Sequence, residues 1–281
     1  MSVAETPTQP DYERVRISPS QAVRDTWVIT RRNLVRNVRL PQLLLLATVQ
    51  PVMFLLLFTF VFGGAIVASL PEGVGYLQFL MPGLLVQVAA FGAGQTALGL
   101  TEDLSRGVVD RFRALPMARS AVLAGRTFGD LLRNTAVLSI MLAVGFAIGF
   151  RYERSFWHFL GAFLLALAFS YSLSWVMAFV GLVVKTPEAA QAAVFLPVFP
   201  LVFASSVFLP TETMPSWLRG FADHQPITVI ADALRGLVVG PEVMTSGLGV
   251  GQQVLSALAW IGGITIVFSV LAVRRYRRTI S

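Results

Sequence analysis

The sequence predicts an all-α membrane protein that crosses the bilayer six times. Of its 281 residues, 55% are hydrophobic and only 13% are charged, and the mean hydropathy is +0.70. An ordinary soluble domain carries about 25% charged residues, so this chain has too little polar surface to cover a globule of its size. Its apolar surface is therefore expected to face lipid.

Six apolar stretches are long enough for a helix of about 20 residues to cross the hydrocarbon. They lie at about 42–63, 76–100, 128–150, 157–184, 189–209 and 254–273. They form a transmembrane domain, 42–273, between an N-terminal segment, 1–41, and a basic tail, 274–281. The third stretch contains Arg133 near one end, and we expect this side chain to extend toward the lipid headgroups.

The distribution of basic residues predicts the orientation. Of the 22 Lys and Arg residues, 18 fall in segments on one side of a six-span arrangement, which include the 101–127 loop. Because positive residues concentrate in cytoplasmic loops, both termini are expected in the cytoplasm of a bacterial cell, with this multi-pass chain in the cell membrane and 210–252 outside. This topology also accounts for the net charge of +7, so a nucleic-acid partner is not expected.

An amphipathic helix is predicted before the first span. Ser18 suits the N-cap position and Pro19 the first helical position, and Pro41 ends the pattern. Apolar residues that include Trp27 follow one face, and arginines that include Arg32 follow another. Such a helix is expected to lie in the cytoplasmic membrane interface, in contact with lipid.

A charged segment follows the second span and alternates acidic with basic residues around a small apolar set. Its glycine permits a turn and its proline stops a helix. The pattern is typical either of a solvated loop or of an amphipathic element that docks on another protein, and the residues alone leave both open. The residues concerned are Glu102, Arg106, Gly107, Asp110, Arg111, Phe112, Arg113, Leu115 and Pro116.

Two short amphipathic patterns precede the last span. The second has an acidic and a basic residue three positions apart, which can pair on its polar side. We expect both patterns to form short re-entrant helices in the outer leaflet. The motif comprises Pro210, Met214, Pro215, Trp217, Leu218, Phe221, Pro226, Asp232 and Arg235.

In this six-span frame, the run from Phe203 to Gly240 and the segment from Arg106 to Pro116 resemble the permeases of ABC-2 type exporters, in the daunorubicin-resistance group. The resemblance covers essentially the whole chain. It implies that 102–116 couples the permease to a separate ATP-binding subunit, present in two copies that hold ATP and Mg. It further implies that a second permease copy completes a homodimer around a central path, and that amphipathic drug-like or lipid-like compounds are exported.

The chain itself is not expected to be an enzyme or to bind a cofactor. A phosphate-binding loop needs the pattern G-x-x-x-x-G-K-[ST], and the only lysine, Lys185, is not preceded by the required glycine. There is no cysteine, and the two histidines, His158 and His224, lie far apart, so no metal site is expected.

Two stripes within the spans are candidates for a substrate path. The second span carries Gln87, Phe91 and Gln95 at four-residue spacing. Intramembrane amides usually face protein or a cavity rather than lipid, so this stripe either lines a path or packs against another helix. The same two interpretations hold for the phenylalanine ladder of the fifth span, which comprises Phe195, Phe199 and Phe203.

The sequence bears differently on three functions other than export of drug-like compounds. A proton- or sodium-coupled transporter is disfavoured, because no predicted span carries an acidic residue at mid-depth. A permease for a polysaccharide or a lipid-linked glycan stays open, as does a membrane scaffold that transports nothing.

Overall fold

The computed structural model describes residues 19–39, 41–106 and 119–279, and all regular secondary structure within these ranges is helical. The predicted all-α class is confirmed. The helices are α1 (Pro19–Arg39), α2 (Pro41–Leu57), α3 (Tyr76–Ser105), α4 (Arg119–Ala147), α5 (Phe156–Val183), α6 (Pro187–Phe203), α7 (Ser216–His224), α8 (Pro226–Val238) and α9 (Val250–Thr279). After α2 the chain continues through a π-helical turn, Phe58–Phe62, and short helical turns that end at Ser69.

Five helical stretches among the described residues are long and apolar enough to cross a membrane. They are Leu44–Ser69, Tyr76–Ser105, Leu123–Ala147, Phe156–Val183 and Val250–Tyr276. The predicted fifth span, 189–209, corresponds to α6, an apolar helix of 17 residues that ends at Phe203. A helix of that length rises about 26 Å, which is shorter than the hydrocarbon thickness of about 30 Å. The count of six spans therefore stays a prediction.

The third apolar stretch among the described residues runs from Leu123 to Ala147, so Asp130 and Arg133 both lie inside it. The predicted bounds of this span, 128–150, stay a prediction. The helix that carries the stretch ends at Ala147, because Gly149 adopts a φ of 108°, a left-handed conformation that favours glycine. The Phe150 N–H then donates to the carbonyl of residue 145 at 2.9 Å, as in a Schellman motif.

Helix α3 is the centre of the bundle and packs against α2, α4, α5, α6 and α8. In its most apolar stretch 83% of the residues are buried, against 11% for the first and last spans. Glycines permit the close approach: a Cβ at Gly83 would lie 2.6 Å from the Val207 carbonyl oxygen, and one at Gly181 would lie 2.8 Å from the Ala97 carbonyl oxygen. The first turns of α3 contact α8 and its last turns lie beside α1; we call these the α8 end and the α1 end.

Helix α1 packs along α4 over two glycines spaced four residues apart. A Cβ at Gly125 would lie 2.6 Å from Ile29 Cβ, and one at Gly129 would lie 2.9 Å from Asn33 Cβ. On another face of α1, Trp27 is exposed and available to a membrane surface. The predicted helix exists, and its place in the membrane interface stays a prediction.

The topology can be tested because the chain contains no cysteine. Single cysteines at Ala114, Glu212 and Glu242 would report the two predicted loops, and both glutamates are exposed. We expect an impermeant maleimide added to intact cells to label Glu212→Cys and Glu242→Cys, and to label Ala114→Cys only after permeabilisation. Labelling of Ala114→Cys in intact cells, or failure at both glutamate positions, would contradict the arrangement.

Candidate functional site

A cavity of about 130 Å³ lies between α2, α3 and α4, among the apolar helices of the bundle. The whole stripe predicted on the second span lines it. Helix α2 contributes Gln50 and Phe54, and helix α4 contributes Arg133 and Asn134. The polar and aromatic residues of its wall are Gln50, Phe54, Gln87, Phe91, Gln95, Arg133 and Asn134.

Gln87 is the most deeply buried residue of the predicted stripe, with an exposure of 3%. Its Oε1 atom is buried and accepts no hydrogen bond from the described residues. Phe91 is half-buried and Gln95 is exposed, so the stripe runs from the interior to the surface of the single chain. A buried polar atom without a partner costs about 1–3 kcal/mol, so a ligand that donates to Gln87 would be favoured here.

Arg133 does not extend toward headgroups, and that prediction was wrong. It is 8% exposed, and its Nη2 donates to the Gly92 carbonyl at 2.7 Å and to Asn134 Oδ1 at 3.1 Å. Asn134 donates in turn to Ser170 Oγ at 2.6 Å. These acceptors are within reach because α3 and α4 approach closely at Gly92, where a Cβ would lie 2.6 Å from Asn134 Oδ1.

The second predicted stripe continues from the cavity along α6. The ring centroids of Phe91 and Phe195 are 6.1 Å apart, and those of Phe195 and Phe199 are 5.0 Å apart. Phe203 follows at 4.4 Å from Phe199, and Phe208 at 5.0 Å from Phe203. These five residues, here called the phenylalanine row, join the two predicted stripes into one surface. Their role as a substrate path stays a prediction.

An ion network holds the α1 end of the bundle. Asp103 of α3 pairs with Arg32 of α1 at 3.5 Å and with Arg126 of α4 at 3.4 Å. Arg126 also pairs with Asp130 at 3.3 Å, and Thr96 donates to that carboxylate at 2.7 Å. This network was not predicted, although the four-residue spacing of Arg126 and Asp130 in the sequence is typical of a helical ion pair.

The predicted docking segment begins at this network. Glu102 is half-buried near the end of α3, and Arg106 is exposed just after that helix. The docking role of Glu102 and Arg106, like that of the other predicted docking residues, stays a prediction. The other predicted docking residues lie outside the described residues; they are Gly107, Asp110, Arg111, Phe112, Arg113, Leu115 and Pro116.

Asp232 and Arg235 pair as expected, but in the interior rather than on an exposed polar side. The Arg235 Nη1 donates to Asp232 Oδ1 at 2.8 Å, and both side chains are 0% exposed. Arg235 also donates to the Phe79 carbonyl at 3.0 Å and to Ser206 Oγ at 2.8 Å. Burial lowers the pKa of Arg235, and the adjacent Asp232 carboxylate opposes that shift. The expected exposed position was wrong, because Phe79 and Ser206, whose oxygens accept from Arg235, belong to neighbouring segments against which α8 packs.

Further hydrogen bonds close the α8 end. The second oxygen of Asp232 accepts from the Thr245 backbone N–H at 3.0 Å and from its hydroxyl at 2.7 Å. Gln225 Nε2 donates to the carbonyls of Leu201 at 2.8 Å and Ala204 at 3.0 Å. This part of the molecule is therefore a hydrogen-bonded cap rather than a loose loop.

Both short helices predicted before the last span are present as α7 and α8. Trp217 on α7 is 78% exposed, which suits a membrane surface, and re-entry into the outer leaflet stays a prediction. The rest of the predicted motif divides by burial: Pro210, Asp232 and Arg235 are buried, Met214, Leu218 and Pro226 are half-buried, and Pro215 and Phe221 are exposed.

Replacing Arg235 with methionine should destabilise the fold, because Asp232 would keep a buried charge without its partner. The expected loss is about 3–5 kcal/mol of unfolding free energy, measured by thermal or denaturant unfolding in detergent. Arg219→Met is the control, since Arg219 is an exposed arginine that pairs with Asp223 at 3.6 Å and should contribute about 1 kcal/mol or less. Equal losses in the two variants would contradict a buried ion pair that stabilises the cap.

Comparison with known proteins agrees with the helical arrangement. The sequence model of the ABC-2 type transporter family matches residues 24–239, from within α1 to the residue after α8. The chain is 38% identical over 228 residues to the daunorubicin resistance ABC transporter permease protein DrrB1 of Streptomyces coeruleorubidus, which covers 81% of this chain and 77% of that protein.

More distant relatives cover a similar part of the chain. It is 27% identical over 263 residues to the probable doxorubicin resistance ABC transporter permease protein DrrC of Mycobacterium tuberculosis, covering 91% of this chain and 89% of that protein. It is 26% identical over 224 residues to the putative transport permease ycf38 of Cyanophora paradoxa, covering 76% and 74%. From the match of most of its length, the chain belongs to the ABC-2 type transporter family.

Proposed function

We propose that this chain is the permease subunit of an ATP-driven exporter that moves amphipathic drug-like or lipid-like compounds out of the cytoplasm or the inner leaflet. The cavity between α2, α3 and α4 carries the proposal, because it places amides and a cation among spanning helices and continues into the phenylalanine row. Polar groups beside an aromatic surface suit a compound with a polar head and an apolar body. The relatives named for daunorubicin and doxorubicin resistance support export.

ATP is hydrolysed on a separate subunit in this proposal. The sequence around the single lysine, Lys185, lacks the glycines of a phosphate-binding loop. Two copies of an ATP-binding subunit would hold the ATP and the Mg, and this chain would contribute the membrane path. Membership in a family of ABC transporters supports that division.

The docking surface for the ATP-binding subunit is assigned to 102–116. The ion network at the start of this segment supports the assignment, because it ties α1, α3 and α4 together where the segment joins α3. Two of those helices, α3 and α4, also line the cavity. A displacement of the docked segment would therefore be transmitted to the cavity wall through charged contacts.

A second copy of the chain completes the path in this proposal. Phe195, Phe199 and Phe203 are exposed on the single chain, so the phenylalanine row is open on one side. A homodimer in the cell membrane would enclose it, with both termini in the cytoplasm as the basic residues indicate.

The double substitution Arg111→Ala with Phe112→Ala tests the coupling. Truncating an interface anchor typically costs about 2 kcal/mol or more, so binding of the ATP-binding subunit should weaken about thirtyfold. The measurements are the affinity of the purified permease for that subunit and the stimulation of ATP hydrolysis by doxorubicin. The permease should still insert, because no spanning helix is changed.

The matched control is Arg219→Ala with Phe221→Ala, which removes the same two side-chain types from exposed positions on α7. Affinity and stimulation should stay unchanged in the control. If the 111/112 variant also keeps its affinity and its stimulated hydrolysis, the segment is not the docking surface.

A further inference from the structure

Arg133 is a buried cation that forms no ion pair within the described residues. It is 8% exposed and lies inside the apolar stretch Leu123–Ala147. Its hydrogen bonds are to neutral groups, the Gly92 carbonyl and the Asn134 amide oxygen. A buried cation is costly unless a counter-charge or a full set of acceptors surrounds it. The contacts among the described residues supply only part of that set.

The single acidic residue of α4 is already engaged by another arginine. Asp130 lies one turn before Arg133, but its carboxylate pairs with Arg126 at 3.3 Å. Asp103 pairs with Arg126 and with Arg32. Asp130 therefore attracts Arg133 electrostatically but forms its ion pair with Arg126, and Arg133 has no ion pair within the described residues.

Two residues that line the same cavity, Arg133 and Gln87, each carry one buried polar atom without a hydrogen-bond partner among the described residues. Arg133 Nε is a donor and Gln87 Oε1 is an acceptor. A cation without an ion pair, a free donor and a free acceptor are together complementary to an anionic group that carries an adjacent O–H or N–H. The cavity volume of about 130 Å³ admits several heavy atoms of such a group.

An apolar groove continues from the cavity along the surface of α2. It is lined by Leu46, Val49, Met53 and Leu57, and it shares Gln50 with the cavity wall. A molecule with its head in the cavity would therefore have an apolar surface beside it for a hydrocarbon tail.

We propose that this cavity binds the acidic headgroup, a carboxylate or a phosphate, of an amphiphile whose tail lies along the α2 groove. Arg133 Nε donates to an anionic oxygen, and Gln87 Oε1 accepts from a hydroxyl of the headgroup. The ligand is either a membrane lipid or an exported compound of the same chemistry. That the ligand is an exported compound rests on the proposed function, whereas the binding site itself does not.

Binding to the full-length permease in neutral detergent, without nucleotide, tests the site. The probes are dodecyl phosphate and phosphatidylglycerol, with phosphatidylcholine as the lipid without net charge, and native mass spectrometry gives the affinities. Loss of one charge-assisted hydrogen bond should weaken binding of both anionic probes about tenfold or more in Arg133→Gln. Arg219→Gln, which removes an exposed charge that does not line the cavity, should bind like the unaltered chain.

Gln87→Leu keeps the charge and provides a second test in case Arg133→Gln does not fold. It should weaken binding of phosphatidylglycerol, whose glycerol hydroxyls can donate, about threefold to tenfold. If phosphatidylglycerol binds and neither probe stimulates ATP hydrolysis, the ligand is a resident lipid. If dodecyl phosphate binds and also stimulates ATP hydrolysis by the complex, the ligand is an exported anion. Either result supports the site.

Equal affinities for phosphatidylcholine and the anionic probes, or equal behaviour of Arg133→Gln and Arg219→Gln, would overturn the site. Because binding is measured without nucleotide, it is separate from export. Anion binding with no partner ATPase activity would refute only the proposed function. Coupled ATP hydrolysis with no anion selectivity would refute only the site.

Discussion

Three arginines donate hydrogen bonds to backbone carbonyls of α3, and these bonds hold the central helix of the bundle in position. They join Arg235 to Phe79 at 3.0 Å, Arg133 to Gly92 at 2.7 Å and Arg126 to Gln95 at 3.2 Å. A hydrogen bond from a charged donor contributes about 1.5–3 kcal/mol, and in a low-dielectric interior the loss of its acceptor is costly. The hydrogen bonds of these arginines therefore require α3 in its present position at three places. Arg235 bonds to it at the α8 end, Arg133 beside the cavity and Arg126 at the α1 end.

Through these hydrogen bonds, α3 connects the α8 end, the cavity and the α1 end, which all have a role in the proposed function. The α8 end is closed by the buried ion pair and its hydrogen bonds, so it provides a fixed support. At the α1 end, Arg126 lies across Gly99, where a Cβ would overlap its guanidinium, and the same residue pairs with two carboxylates. If 102–116 docks as proposed, a force applied there would reach α3 through that arginine, and α3 carries Gln87 and Gln95 of the cavity wall.

The sequence was sufficient for features that depend on local spacing and length. The helical class followed from the apolar stretches, and the shared face of Gln87, Phe91 and Gln95 followed from four-residue spacing on a helix. The sequence did not indicate which helices pack against each other. The burial of Arg235 depends on the Phe79 carbonyl, 156 residues away, and the α2 wall of the cavity has no periodic signal. Likewise, α6 ends at Phe203, so residues 204–209, which the sequence analysis placed in the fifth span, lie outside the helix.

The proposed coupling requires the cavity beside α3 to respond to the ATP cycle of the partner subunit. Gln95→Cys in this cysteine-free chain would report on it, because Gln95 lines the cavity and is exposed on the single chain. The measurement is the rate of modification by a hydrophilic maleimide in the reconstituted complex, without nucleotide and after trapping with ATP and vanadate. We expect the rate at Gln95→Cys to change between the two states, while Glu242→Cys at an exposed turn reacts at the same rate in both. An unchanged rate at Gln95→Cys, with the complex actively hydrolysing ATP, would contradict it.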